Sequence, residues 1–240
     1  MKFTPRDHPM NWYRYDVAGS VELLDSYVSD VERQVEKNIA DFATDREELV
    51  VEGMRPDEPP RFIAVHKGLD DGTWDLEAVF LEYFPNLQRR SALITLFSFF
   101  EHELNKLCTW FQETEKYQIS YRDIAGSGIE KARTYLGKVA AIEFTESAAP
   151  WNEVKNVQLL RNLVVHADGR FPQERPGERS ALRRYVDANE FLGGEGEILI
   201  RAGYLKHVLM SFKEYFEMLE KDIHCRYDKL RRSSQSESPA

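Results

Sequence analysis

The chain has 240 residues, of which 42 % are hydrophobic and 12 % aromatic, and its 41 acidic and 32 basic side chains give a formal charge of −9. So many aromatic residues exclude a disordered chain, and 13 glycines with 10 prolines are too few for a collagen-like or low-complexity protein. The most apolar run, residues 92–100, is soon interrupted by charged side chains, whereas a membrane-spanning helix needs about 20 apolar residues.

The first predicted element is a long amphipathic helix. Its apolar residues recur at steps of three and four between Val21 and Phe42, which is the helical period. Three prolines within residues 54–61 end it, and residues 61–68 are expected to form a connector. A turn at residues 70–72 then leads into the next helix.

The central part of the chain carries the clearest helical pattern. Thr73 can cap a helix that Pro85 breaks or kinks, because proline lacks the N–H that a helix interior needs. The helix that follows has a narrow apolar seam of the kind found in bundles. Its seam residues are Leu93, Phe97, Phe100, Leu104, Leu107 and Phe111.

Two further helices are predicted between residues 126 and 169. The residues Gly126-Ser127-Gly128 open the first of them. Pro150 begins the second, a position where proline is well tolerated. This second helix ends at Asp168-Gly169, a good C-terminal stop.

The C-terminal part is expected to begin with a polar loop over residues 171–179. Glycines at residues 193–196 precede the β-prone residues 197–200, and together they indicate a short hairpin. A last amphipathic helix runs between Leu205 and Ile223, and the chain ends in a frayed tail from Ser233.

These elements predict an all-α protein, an antiparallel helical bundle with one short hairpin. We expect an acidic N-terminal helical extension over residues 1–60, a bundle over residues 73–231 and a disordered tail over residues 232–240. The charge is uneven, since residues 21–58 hold twelve acidic and four basic side chains, a net charge of −8. Residues 161–184 hold six arginines and three acids. Such charge runs are usually solvated faces, and phosphate contact is the less common function.

Several kinds of site are excluded by their missing motifs. No histidine has a glutamate three residues before it, so the ligands of di-iron bundles are missing. The sequence has no zincin motif, no P-loop, no G-x-G-x-x-G and no G-x-S-x-G. Cys108 and Cys225 lie far apart and outside any C-x-x-C pair, which argues against a disulfide framework or a zinc ribbon. We expect no metal, no cofactor, no secretory signal, no membrane contact and a cytoplasmic location.

One motif remains, an arginine and a histidine four to six residues apart. Three pairs in the chain have that spacing: Arg61 and His66, Arg161 and His166, and Arg201 and His207. Only Arg161 is followed by a polar Asn162, and only this pair lies at the end of a predicted helix. The sequence R-N-x-x-x-H in a helical bundle resembles the HEPN superfamily of nucleases, over about residues 73–226.

The resemblance implies a metal-independent endoribonuclease of the toxin or phage-defence type, acting as a homodimer on RNA. His166 would exchange protons with the RNA 2′-hydroxyl or the leaving oxygen. Arg161 would stabilise the charge on phosphorus, Asn162 would orient the phosphate or the imidazole, and Glu101 would hold Arg161 or tune His166. The basic residues Arg170, Arg175 and Arg179 are candidates for binding RNA.

Simpler interpretations stay open. Cations near a helix C-terminus complement the helix dipole, so Arg161 and His166 could serve as capping residues. The chain would then be a non-catalytic HEPN-like module for nucleic-acid or protein interaction, whose acidic segment binds a partner or shields a basic site. An antitoxin or a regulatory protein is a further candidate partner of the chain. A cysteine-dependent enzyme is disfavoured, because Cys108 falls on the apolar seam and buried thiols are usually packing residues.

Overall fold

A computed structural model describes residues 6, 8–52, 59–174 and 178–236 of the chain. Helices dominate, with 68 % of the residues, so the mainly-α class is confirmed. The described residues form six α-helices: α1 (Ala18–Thr44), α2 (Phe84–Glu115), α3 (Gly128–Lys138), α4 (Pro150–Ala167), α5 (Ala181–Ala188) and α6 (Tyr204–Ser236). The strands are β1 (Glu47–Val51), β2 (Arg61–His66), β3 (Leu69–Asp70), β4 (Leu192–Gly193) and β5 (Leu199–Ile200).

Helix α2 forms the centre of the core. All six residues of its predicted seam are at most 1 % exposed. The ring of Phe100 stacks on two rings of α6, with centroid distances of 4.3 Å to Phe212 and 4.9 Å to Phe216. The seam therefore packs along α6, as expected for a bundle helix with apolar residues at alternating steps of three and four.

The acidic helix α1 is an integral part of this bundle. Its residues Val21 and Val28 are buried in the same cluster as the α2 and α6 side chains. The guanidinium of Arg89 on α2 donates to both carboxylate oxygens of Glu32, with Nη2 at 2.8 Å from Oε2. The segment predicted as an extension thus contributes its α1 part to the core.

The expectation for residues 45–68 was wrong. Helix α1 ends at Thr44, and β1 and β2 pair in antiparallel register with Leu49 opposite Ile63. The reason is local, because the helical stripe stops at Phe42 and β-branched and aromatic residues follow, which favour strands. Residues 53–58, including most of the proline-rich stretch, lie outside the described residues.

Three smaller differences concern the helices. Pro85 does not interrupt its helix, because a π-helical turn at residues 78–83 precedes it and the missing N–H falls in the first turn of α2. Helix α5 was not predicted within its charged, arginine-rich segment. Helix α6 continues to Ser236, past the expected start of the tail.

Several expectations are confirmed in detail. Helix α4 runs from Pro150 to the predicted stop, and the antiparallel pair of β4 and β5 is the predicted hairpin. A second small cluster, formed by Phe42, Leu76 and Phe80, anchors the N-terminal strands through the buried His66. Among the described residues, no helix combines the length and apolar character needed to cross a bilayer.

Candidate functional site

The motif helix α4 has a firmly fixed C-terminus. Asp168 has a left-handed backbone (φ 51°) and is followed by Gly169 (φ 78°), whose N–H donates to the carbonyl of Leu163 at 3.1 Å. The buried guanidinium of Arg90 forms ion pairs with both Asp168 and Glu197. A Cβ at residue 169 would lie 3.0 Å from that guanidinium, so glycine is required for this close approach.

The first motif residue, Arg161, is held in the groove between α2 and α4. Its Nη1 donates to Oδ1 of Asn162 at 3.0 Å, and its guanidinium carbon lies 5.3 Å from the centroid of the Phe97 ring. Its buried Nε has no hydrogen-bond partner among the described residues. A cation over an aromatic face is attracted by the ring quadrupole. Arg161 and Asn162 are thus the two motif residues that the fold brings into contact.

His166 lies in a different environment. It is exposed, and within the described part of the chain it makes no hydrogen bond, ion pair or ring contact. Five residues along a helix correspond to a rotation of about 140° and a rise of about 7.5 Å, so Arg161 and His166 lie on different faces of α4. A single chain therefore does not bring the two catalytic candidates together.

Glu101 contacts neither candidate. Its carboxylate lies at the start of α3, with Oε1 3.3 Å from the position that a Cβ at Gly128 would take. The Nε2 of Gln158 on α4 lies 3.5 Å from the same point. Among the described residues, Glu101 has no ion pair with Arg161 or His166. It faces α4 one helical turn before Asn162, and its expected role in the site stays a prediction.

The predicted RNA-binding arginines differ in their surroundings. Arg170 follows the end of α4, is exposed, and has no side-chain partner in the described ranges. Arg179 is exposed and forms an ion pair with Asp187. Arg175 lies outside the described residues. Among the described members of this group, Arg170 is the cation without a side-chain partner, and it lies close in sequence to His166.

The exposed face of α4 combines polar and apolar side chains. Lys155, Leu159, Asn162 and His166 follow each other at steps of four, three and four, which places them in one stripe. Leu159 is 39 % exposed, and Val165 beside the stripe is 43 % exposed. Leu159 and Val165 lie about 120° apart around α4, so they are two single exposed apolar residues, one on each side of Asn162.

Sequence reasoning missed a polar cluster on the other side of α4. Glu153 accepts hydrogen bonds from Tyr185 of α5 at 2.5 Å and pairs with Nε2 of His207 of α6 at 2.8 Å. Burial raises the pKa of Tyr185, which keeps that hydroxyl protonated as a donor. His207 belongs to one of the three arginine–histidine pairs, but the spacing of that pair does not indicate that His207 contacts Glu153.

Other reactive groups do not add to the site. The thiol of Cys108 is buried and lies 3.6 Å from the carbonyl oxygen of Ala132, and burial raises its pKa well above the usual range. This agrees with the packing role expected for it. Within the described residues, no three histidine, cysteine or acidic side chains cluster closely enough to hold a metal ion.

Comparison with known protein families, with curated proteins and with solved structures yields no match to this chain. The resemblance to HEPN nucleases therefore rests on residues 161–166 and on their place at the end of a bundle helix.

Proposed function

We propose that this protein is a metal-independent endoribonuclease of the toxin or phage-defence type that acts as a homodimer. The observation that supports the proposal is the arrangement of the motif side chains on α4. Its C-terminus is fixed by Arg90, Arg161 is anchored next to Asn162, and His166 is exposed with no partner among the residues that the structure describes. His166 is therefore accessible to a bound RNA strand.

The chemistry follows from the two side chains. The imidazole of His166 exchanges a proton with the 2′-hydroxyl of the RNA or with the departing 5′-oxygen, because an imidazole can both accept and donate a proton. The guanidinium of Arg161 donates to the phosphate oxygens while negative charge builds up on them. Attack by the 2′-oxygen on phosphorus expels the 5′-oxygen. The products are a 2′,3′-cyclic phosphate and a 5′-hydroxyl end.

A second copy of the chain brings an arginine and a histidine of the motif together. Since Arg161 and His166 lie about 140° apart around one helix, each cleft is built from Arg161 of one subunit and His166 of the other. A two-fold axis between two α4 helices would use the same surface on both subunits. The exposed Leu159 and Val165 provide apolar contact for that interface.

The test is RNA cleavage in EDTA. The purified protein is incubated with total RNA or tRNA and compared with His166→Ala, and with His102→Ala as a control at an exposed histidine outside the motif. We expect cleavage by the wild type and the control, none by His166→Ala, and cyclic phosphate ends by mass spectrometry. No cleavage by the wild type, or equal cleavage by His166→Ala, would favour the alternative of a non-catalytic interaction module.

A further inference from the structure

Strand β1 is an exposed sheet edge. It pairs with β2 on one side only, and among the described residues no other strand lies along its second side. All five of its residues are exposed, with Leu49 at 50 % and Val50 at 60 %. Phe62, directly opposite Val50 on β2, is 70 % exposed. The sheet thus presents free backbone N–H and C=O groups beside an apolar pair.

This edge has only part of the usual protection. Natural edge strands are blunted by charged side chains, above all lysine, by proline, by bulges or by short length. The charged side chains of β1 are Glu47 and Glu48, which do not repel a cationic partner. Residues 47–51 contain no proline and no lysine, and their five successive pairs with β2 follow a regular register without a bulge. An edge of this kind is a template for pairing with another strand, and such pairing is a known mode of peptide recognition.

The negative charge around β1 favours a positively charged strand as its pairing partner. Residues 41–52 contain five acidic side chains and one basic one, so the strand begins and ends among carboxylates. A second copy of the chain would bring the same negative charge to the contact. A cationic strand would instead place its lysines or arginines near Glu47, Glu48 and Glu52, which is the complementary arrangement.

We propose that the free edge of β1 binds an extended, cationic segment of another protein, which adds a fourth strand to the N-terminal sheet. Apolar side chains on one face of that segment pack on Val50, beside Phe62. Its basic side chains project from the other face of the sheet, on which the carboxylate of Glu47 lies. The contact does not involve the α4 motif, so it is independent of the ribonuclease proposal.

The probe is a short labelled peptide in which lysine and valine alternate. We expect it to bind the full-length protein in a fluorescence anisotropy assay, and to slow hydrogen exchange at the amides of residues 47–51. A peptide with the same composition in two blocks, and one with glutamate in place of lysine, are the matched controls. Both should bind at least about tenfold more weakly, because neither combines the alternation with the charge.

Two protein variants locate the contact. The double variant Val50→Lys/Phe62→Lys should lose binding, whereas Leu23→Lys should retain it, because Leu23 is 71 % exposed on α1 and outside the sheet. Binding that is equal for all three peptides, unchanged in the double variant, or without protection at residues 47–51 would overturn the proposal. A dimer in light scattering that the double variant converts to monomer would assign the edge to a second copy and would also overturn it.

Discussion

The carboxylate of Asp222 shows how one residue connects two parts of the bundle. It is 2 % exposed on α6, and it accepts hydrogen bonds from the backbone N–H groups of Thr145, Glu146 and Ser147 and from the Ser147 hydroxyl. These groups lie in the turn that leads into α4. Asp222 therefore fixes the start of the helix that carries the motif.

We predict that Asp222→Ala lowers the free energy of unfolding by about 3 kcal/mol, because three backbone N–H groups and the hydroxyl of the buried Ser147 lose their acceptor. Urea denaturation measures the loss. Asp228→Ala, at an exposed aspartate on the same helix, should change the stability by no more than about 0.5 kcal/mol. Similar losses for the two variants would contradict the role given to Asp222.

Residue-level prediction succeeded where the chemistry is local and failed where it depends on distant contacts. The left-handed stop at Asp168 and Gly169 could be predicted, because a glycine after the last helical turn has few other functions. The hydrogen bond between Arg161 and Asn162 was not predicted, although the two residues are adjacent. The link between Glu153 and His207 joins residues 54 positions apart, and no sequence period connects them.

At the level of elements, the cluster around Glu153 ties three helices together. Burial alone would raise the pKa of Glu153. The hydrogen bonds from His207 and Tyr185 outweigh this effect and hold the pKa of Glu153 below its ordinary value of 4.5. A carboxyl group with a lowered pKa stabilises the folded state above its ordinary pKa, and this contribution is lost as the pH falls through the folded-state value. The contacts between α4, α5 and α6 should therefore weaken in acid.

We predict that the wild type loses more stability than Glu153→Gln when the pH falls from about 6 to about 3, because the variant has no proton to take up at this position. Urea unfolding at a series of pH values gives the two curves. Glu36→Gln, at an exposed position on α1, should follow the wild type. Parallel curves for the wild type and Glu153→Gln would show that the cluster does not respond to acid.

Whole elements were predictable where the apolar period was unbroken. The seam of α2 and the apolar run of α4 were found because burial repeats at helical steps. The strands β1 and β2 were missed, since their side chains are mostly exposed and carry no core pattern. Helix α5 was missed because arginines and a tyrosine fill a segment with a single buried residue, Val186.

At the scale of the whole molecule, the proposed active site depends on a second subunit. The apolar residues Leu159 and Val165 lie beside the motif on the exposed face of α4. We predict that Leu159→Lys/Val165→Lys is a folded monomer in light scattering and has lost RNA cleavage, because charged side chains are costly at the centre of an interface. Ile119→Lys, at another exposed apolar residue, should stay dimeric and active. An active monomeric variant would rule out the shared cleft.

The most direct measurement is complementation between two inactive variants. Arg161→Gln and His166→Ala are each expected to be inactive in EDTA, since each removes one member from both clefts. An equal mixture should regain about a quarter of the wild-type rate, because half of the dimers are mixed and each mixed dimer keeps one of two clefts intact. His166→Ala mixed with the double variant Arg161→Gln/His166→Ala should stay inactive. A mixture of the two single variants that stays inactive, although mixed dimers form, would contradict the claim that two subunits build one site.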